Sequence, residues 1–297
     1  MNTLPDRPNL SFLLREAKAL KSRHRARDTS VREVIGHFDT RLQRLGNDAL
    51  FETRFSILDA QRVTARRYGF SSWPRLKRFV QRARAGECPS DPTLRALLLD
   101  RHARLLELQS EARKDKAAHR KDAYAHYRRA ALESVGVMDH VYEVHGWPGP
   151  NVVGTEGLEA AVFLAANAVY DAEFQHRSVR LMGEALQQGG FIAARHAVLV
   201  DRNLALAKRP TRYGSTFGMF RSADGEIGFV PDAVEHPDRV DHRRATVGLE
   251  PMQAERQRSL RLAREENWDL PTFHGSVDEL NHLSVDGGYR DVERPSG

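Results

Sequence analysis

The chain has 297 residues, of which 40% are hydrophobic and 29% are charged, and this balance is typical of a soluble globular protein. It contains no apolar run of about 18 residues and no apolar leader, so the sequence predicts neither a membrane span nor a secretory signal. The single cysteine, Cys88, excludes an intramolecular disulfide and a cysteine-rich metal site, and with the missing leader it predicts a cytoplasmic protein.

The net charge of +6 is distributed unevenly along the chain. Residues 1–86 contain 19 Lys and Arg against 8 Asp and Glu, whereas the remainder contains 27 against 32. One interpretation is a basic helical face that docks on the acidic remainder, which the wide spacing of the arginines favours. The other is an electrostatic surface for nucleic acid or for an acidic protein partner.

The first 86 residues have the periodicity of a small helical domain. Asn9 is a good N-cap, and Leu10, Leu13 and Leu20 recur behind it at helical spacing. A serine before Pro74 is a further helix start signal. The predicted helices cover 9–26, Thr29 or Ser30 to Gly46, 57–68 and 74–84.

A dense motif lies in this domain between Asp59 and Leu76. Its sequence is D-A-Q-R-V-T-A-R-R-Y-G-F-S-S-W-P-R-L. This string resembles the motif of a helical module found at the front of many bacterial proteins, before ankyrin repeats or unrelated enzyme domains. The resemblance covers about residues 9–84 and implies an accessory role. No ankyrin-like period follows, so the chain carries a different second domain.

The remainder of the chain is also predicted to be mostly helical. A highly charged stretch over 111–127 favours a solvated helix or a loop, whereas alanine and leucine on most sides of 156–169 predict a buried central helix. The glycines of 225–230 predict a short hairpin. Helices are predicted from Thr93 past Leu108 and over 124–145, 156–169, 173–188, 192–207, 240–244 and 251–266.

Together these elements predict an all-α protein with two domains. The first is the basic helical module of residues 1–86, and a linker of residues 87–93 follows it. Residues 94–255 are predicted to form a larger helical-bundle domain, and residues 256–297 a polar, partly irregular tail.

Five short motifs stand out in the second domain. They are Gly146-Trp147-Pro148, Asp171 with Gln175, Asp201-Arg202, Tyr213-Gly214, and Val240-Asp241-His242-Arg243-Arg244 with Gly248-Leu249. In order and spacing they resemble an uncharacterised bacterial helical family, catalogued only as a domain of unknown function. The resemblance covers about residues 94–249 and implies one helical domain whose polar residues converge on a pocket.

The chain departs from that family at its most titratable positions. Where the family has Gln-His, this chain has Ala166-Asn167, and Val169 replaces an Asp. Thr211 and Thr216 replace glutamines around the Tyr-Gly pair. Asn167 does not titrate, so if the family's His is a general base, this member either uses different chemistry or binds without turnover.

The candidate catalytic residues are His145, Asp201 and Tyr213. His145 titrates near neutrality, as proton transfer requires, but a histidine at a helix end also serves as a C-terminal cap. Asp201 beside Arg202 is most simply a structural pair, and in the functional interpretation it orients one of the arginines that bind an anion. Gly214 after Tyr213 lets backbone approach a ligand, but it also simply permits a turn.

An anion grip is predicted from Arg202, Arg243 and Arg244, because guanidinium groups bind carboxylates and phosphates through paired hydrogen bonds. Three further ligand-binding candidates follow: His176, Asn167 and Gln175.

Two Glu/His pairs in the sequence have the spacing of metal ligands. Glu173 and His176 have the i,i+3 spacing of helix-bundle metal sites, and Glu279 and His282 repeat it. Such a pair arises easily by chance, so no metal is predicted. The chain has no P-loop, dinucleotide-binding, nucleophile-elbow or zinc-ligand motif, so the cofactor stays unknown.

Two hypotheses for the function follow from these features. The leading one is a pocket in the second domain for a small anionic or polar ligand, with His145 as acid or base if the pocket is catalytic. The alternative is a non-enzymatic interaction protein whose basic N-terminal module binds nucleic acid or an acidic protein.

Overall fold

A computed structural model describes residues 9–85, 89–114, 120–188 and 191–268, together with Leu4, Leu270 and Thr272. Within these residues the chain forms twelve α-helices and one two-stranded sheet, which confirms the predicted all-α fold. The helices are α1 Leu10–Arg25, α2 Arg32–Phe38, α3 Asn47–Glu52, α4 Ile57–Arg67, α5 Trp73–Ala85, α6 Pro92–Lys114, α7 Arg120–His145, α8 Pro150–Asn167, α9 Ala172–Gln187, α10 Ala193–Leu206, α11 Val240–Val247 and α12 Met252–Glu265. The strands are β1 Phe217–Arg221 and β2 Ile227–Pro231.

Two helices of the N-terminal part begin at clear side-chain caps. The side chain of Asn9 accepts a hydrogen bond of 2.8 Å from the backbone N–H of Ser11 and starts α1, as predicted. Ser56 and Asp59 form a reciprocal capping box at the start of α4. These contacts satisfy N–H groups that have no partner inside the helix.

The helix predicted from Thr29 or Ser30 to Gly46 is wrong in its second half. α2 ends at Phe38, because Asp39 adopts an extended conformation. The Asp39 carboxylate then accepts the backbone N–H of Arg41 (3.1 Å) and the guanidinium of Arg62 (3.0 Å). A separate short helix, α3, follows before α4 and was not predicted.

The buried central helix predicted over 156–169 is confirmed as α8. It packs against α5, α6 and α7, and Leu158, Ala161 and Leu164 are almost fully buried. α8 begins at Pro150, earlier than predicted, and is interrupted at Gly154, whose φ of 71° is left-handed.

The described residues form two hydrophobic cores. The smaller joins α1 to α4 around Ile35, Leu42 and Val63. The larger extends from α4 to α10, takes in part of α1, and includes Leu76 and Leu158. The last helix of the predicted first domain therefore packs into the same core as α8, while the domain boundaries themselves stay predictions.

The C-terminal part adds the hairpin and two helices. β1 and β2 are antiparallel, with Met219 opposite Phe229, so the hairpin predicted over 225–230 extends over 217–231, and β2 contacts α12. None of the described helices is long and apolar enough to cross a membrane. Residues 115–119 of the charged stretch and residues 273–297 of the predicted tail lie outside the described residues.

Candidate functional site

Asp201 of α10 organises the loop that follows its helix. The side chain is fully buried, and its carboxylate accepts the backbone N–H groups of Arg212 (2.7 Å), Tyr213 (2.9 Å) and Ser215 (2.8 Å). It also accepts the Ser215 hydroxyl at 2.8 Å. Four donors on one carboxylate fix the path of the loop, since hydrogen bonds to a charged group are stronger than neutral ones.

Two arginines of α11 support the same loop from the other side. The guanidinium of Arg244 is fully buried, donates to the carbonyl of Tyr213 at 2.6 Å and forms an ion pair with Glu255. Arg243 donates to the carbonyl of Arg212 at 2.7 Å and to the carbonyl of Glu235. Two of the three guanidinium groups predicted to bind an anion, those of Arg243 and Arg244, are therefore engaged with carbonyl oxygens and a carboxylate of the protein.

A cleft of about 550 Å³ lies beside this loop. It is bounded by the end of α6, the start of α7, the end of α8, α10, the hairpin and α12. Arg202 and Asn167 of the predicted residues line this cleft, and the loop contributes Ser215 and Thr216. The volume falls within the range of about 300–1,000 Å³ that is usual for small-molecule sites.

Asn167 forms a polar cluster on one wall of the cleft. Its side-chain carbonyl accepts the hydroxyl of Tyr127 at 2.7 Å and the amide of Gln109 at 3.2 Å. Its own amide donates to the carbonyl of Phe163 at 2.8 Å. These bonds orient a neutral amide, so the side chain of Asn167 supplies hydrogen bonds but does not titrate.

Both signs of charge line the cleft. Arg202 is half-buried, and its guanidinium donates to the carbonyl of Ala166 at the end of α8. Asp232, which follows β2, is only 7% exposed, and its backbone N–H donates to the carbonyl of Thr216 at 3.1 Å. The cleft thus offers donors and acceptors on facing elements.

A buried hydroxyl of the cleft lining has no hydrogen-bond partner among the described residues. The Oγ1 atom of Thr216 is buried and forms no hydrogen bond with any described residue. Burying a hydroxyl without a partner costs about 1–3 kcal/mol, so an unsatisfied hydroxyl at a cleft is a position where a bound molecule would supply the missing bond.

Aromatic side chains complete the lining. Tyr124, Phe217 and Trp268 line the cleft, and the ring of Phe217 packs on that of Phe229 with centroids 4.2 Å apart. Aromatic faces stack on planar groups, so this wall suits a flat ligand more than a branched aliphatic one.

A comparison with protein-family models matches the segment that contains most of the cleft-lining residues. Residues 131–265 match a family of unknown function (DUF6624). The match covers just under half of the chain and agrees with the uncharacterised helical domain expected there. Neither the search of curated proteins nor that of solved structures found a match.

The matched segment contains only part of the cleft lining. Asn167, Arg202, Thr216 and Asp232 lie inside it, whereas Gln109, Tyr124 and Tyr127 of α6 and α7 precede it. The resemblance of residues 9–84 to an accessory module stays a prediction.

Besides Asp201, Arg243 and Arg244, four further predicted site residues do not line the cleft. His145 is exposed at the end of α7, with Nε2 3.7 Å from Asp91. Tyr213 is half-buried behind the loop, and burial raises the pKa of its hydroxyl. His176 is exposed and bonds within its own helix, to Ala172, at 2.8 Å. Gln175 is fully buried and donates to the carbonyl of Ala165 at 2.5 Å.

The i,i+3 spacing of Glu173 and His176 is not accompanied by a cluster of metal-ligating side chains among the described residues. Among the described residues no group of three or more His, Cys, Asp or Glu side chains is placed to hold a metal ion. Glu173 and His176 are both exposed on α9, and the second pair, Glu279 and His282, lies outside the described residues.

Sequence reasoning did not name four residues of the cleft as site residues: Gln109, Tyr127, Thr216 and Asp232. Tyr127 falls within the helix predicted over 124–145 without being singled out as a site residue, and Thr216 enters only as a replacement for a family glutamine. Asp232 follows a short strand and carries no local motif. These four residues lie on elements that are distant in the sequence and meet only in the fold. A single sequence therefore does not show that they line one cleft.

Proposed function

We propose that the cleft binds a small, polar and partly planar ligand that carries an anionic group. Arg202 supplies the positive charge, Asp232 and the Asn167 cluster supply further polar contacts, and the aromatic wall receives the planar part. The observation that carries the proposal is the buried Thr216 hydroxyl, which has no hydrogen-bond partner among the described residues and belongs to the cleft lining. A ligand acceptor or donor at this atom would remove the desolvation penalty.

The proposal is limited to binding. Asn167 does not transfer protons, and His145 lies outside the cleft lining. Asp232 is the acidic residue of that lining, and a carboxylate together with the guanidinium of Arg202 suits recognition of a molecule with both donors and acceptors. Of the three arginines predicted to bind an anion, only Arg202 keeps that role in this proposal.

A thermal-shift screen of the full chain tests this function. The probes are nucleoside monophosphates, aromatic carboxylic acids, free amino acids and neutral analogues of each. A ligand at one hundred times its Kd stabilises the folded state by about 2.7 kcal/mol, which raises Tm by roughly 5–10 °C for a domain of this size.

The variant Arg202→Gln identifies the site of any hit. We expect it to weaken an anionic hit by at least about tenfold, because a charge-assisted contact contributes about 1.5–3 kcal/mol, and to weaken its neutral analogue much less. Arg180→Gln is the matched control, since Arg180 is exposed on α9 and pairs with Glu184. Equal affinity of the wild type and Arg202→Gln for every hit would overturn the proposal.

A further inference from the structure

One face of α1 carries a row of positive charge. It consists of four exposed side chains, Arg15, Lys18, Lys21 and Arg25, which we call the α1 stripe. At about 100° per residue, these four positions fall within roughly 120° of the helix circumference and extend about 15 Å along its axis.

The cations of the α1 stripe are not neutralised by the described part of the protein. None of the four forms an ion pair or a hydrogen bond with a described residue. Glu16, the acidic residue of α1, instead accepts the hydroxyl of Tyr68 at 2.7 Å.

Other arginines of the N-terminal part behave differently. Arg41 and Arg62 both contact Asp39 and Asp59, and Arg27 contacts Glu52. These carboxylates are thus engaged by cations outside the stripe. Within the described residues, docking on the acidic remainder of the chain, the interpretation that the sequence favoured, does not account for the four side chains of the stripe.

Three kinds of anionic surface differ in what else they require. A helix that lies in a membrane surface needs a free apolar face, but the apolar residues Leu13, Ala17 and Leu20 of α1 are buried in the protein. Single-stranded nucleic acid is held by several stacking aromatics, and on α1 the exposed aromatic is Phe12. A rigid row of cations suffices for the phosphates of a duplex.

We propose that the α1 stripe binds the phosphate backbone of double-stranded nucleic acid without reading its sequence. Four cations over about 15 Å match a duplex that carries one negative charge per about 1.7 Å of its axis. The site is separate from the cleft, so neither proposal depends on the other.

The salt dependence of binding gives a quantitative expectation. Each phosphate contact contributes about −0.9 to the slope of log K against log salt, so four contacts predict a slope of about −3 to −4. Between 50 and 200 mM salt the affinity should fall about 100-fold, from a sequence-independent Kd on the order of 10⁻⁵ M.

The experiment is fluorescence anisotropy on the full chain with a labelled 20-base-pair DNA duplex and an RNA duplex of the same sequence. The test variant changes all four residues of the α1 stripe to Gln. We expect its affinity to fall at least about tenfold at 100 mM salt and its slope to shrink by about 3. Circular dichroism and Tm should match the wild type, because every substituted side chain is exposed.

The matched control removes the same number of charges from exposed arginines that lie within 4.0 Å of a carboxylate. It changes Arg104, Arg180, Arg239 and Arg261 to Gln. We expect this control to retain duplex affinity within about threefold, because paired cations release few counterions.

Four outcomes would overturn the proposal. They are no duplex binding by the wild type, equal loss in the stripe variant and the control, tighter binding to vesicles that contain phosphatidylserine, and tighter binding to polyglutamate than to either duplex. A preference for DNA or for RNA would support the proposal and identify which duplex the surface fits.

Discussion

Thr216 illustrates how a single residue links the fold to the proposed site. Its backbone carbonyl is satisfied by the N–H of Asp232 at 3.1 Å, whereas its hydroxyl is buried without a partner among the described residues. A residue retained only for stability would be better replaced by an isosteric apolar one. Under the proposed function, the threonine lowers the stability of the free protein and raises the affinity for the ligand.

The substitution Thr216→Val separates these two effects. We expect the free protein to gain about 1 kcal/mol in free energy of unfolding, because an unsatisfied buried hydroxyl is removed at nearly constant shape. We expect the same variant to bind an identified ligand about tenfold more weakly. Urea unfolding and calorimetric titration measure the two quantities.

The control for this prediction is Thr246→Val. The hydroxyl of Thr246 donates to the carbonyl of Arg243 at 2.6 Å, so its removal should lower the unfolding free energy by about 1 kcal/mol. A loss of stability in Thr216→Val as well would mean that its hydroxyl has a partner in solution.

Among the elements, the end of α11 depends most strictly on its neighbours. Gly248 has a φ of 84°, and a Cβ at this position would lie 2.4 Å from the carbonyl oxygen of Arg66 and 2.5 Å from the Cα of Gly69. Both neighbours are backbone atoms at the end of α4, which side-chain rotation does not relieve. This close approach places α11, and with it Arg243 and Arg244, behind the loop.

Gly248→Ala should therefore be strongly destabilising. We expect a loss of more than about 3 kcal/mol in the free energy of unfolding, because steric conflict adds to the penalty of about 1–2 kcal/mol for a left-handed alanine. Gly225→Ala is the matched control, since Gly225 has a φ of 88° but an added Cβ meets nothing within 4 Å. Urea unfolding that gives equal losses for both variants would show that α11 does not dock as described.

The elements also show how far local sequence pattern reaches. The helix caps at Asn9 and Ser56 depend on residues a few positions away, and the burial of α8 follows from its own alanine and leucine residues. Local sequence pattern therefore predicts both. The end of α2 depends on Asp39 and Arg62, which are 23 residues apart in the chain. The cleft requires α6, α10, the hairpin and α12 to meet, and no local pattern encodes that meeting.

The roles of the predicted site residues were harder to infer for the same reason. Asp201, Arg243 and Arg244 were selected by residue type and motif, and the structure does bring all three to one loop. However, the contact of Arg244 with Tyr213 spans 31 residues, and only the fold shows that it ends on a carbonyl. The three residues therefore meet in the fold, but none of them lines the cleft.

At the scale of the whole molecule, His37 connects two distant parts of the chain. Its Nε2 lies 2.9 Å from the carbonyl oxygen of Leu249, and the ring is 9% exposed. Burial lowers the pKa of His37, with a smaller opposing effect from the Leu249 carbonyl and from Asp241. Arg244 beside it lowers the pKa further, whereas Glu33 raises it.

This shift predicts how stability depends on pH. Because the folded-state pKa lies below the ordinary value of about 6.5, the unfolded chain binds more protons in this range, and stability should fall as the pH decreases below about 6.5. His37→Gln keeps a donor for the carbonyl but does not titrate, so we expect a smaller loss between pH 7 and pH 5.

Part of the pH dependence should persist in that variant, because burial also lowers the pKa of His102 and His196. His176→Gln is the control, since His176 is exposed and bonds only within α9 in the described structure. Urea unfolding at both pH values measures the difference, and an unchanged pH dependence in His37→Gln would contradict the assigned burial.

The most direct test of the account is a crystal structure of the full chain with the tightest ligand from the thermal-shift screen. We predict that the ligand occupies the cleft, with its anionic group on the guanidinium of Arg202 and a polar atom within about 3.2 Å of Thr216 Oγ1. A ligand bound elsewhere, or one in the cleft that leaves both groups untouched, would contradict the account.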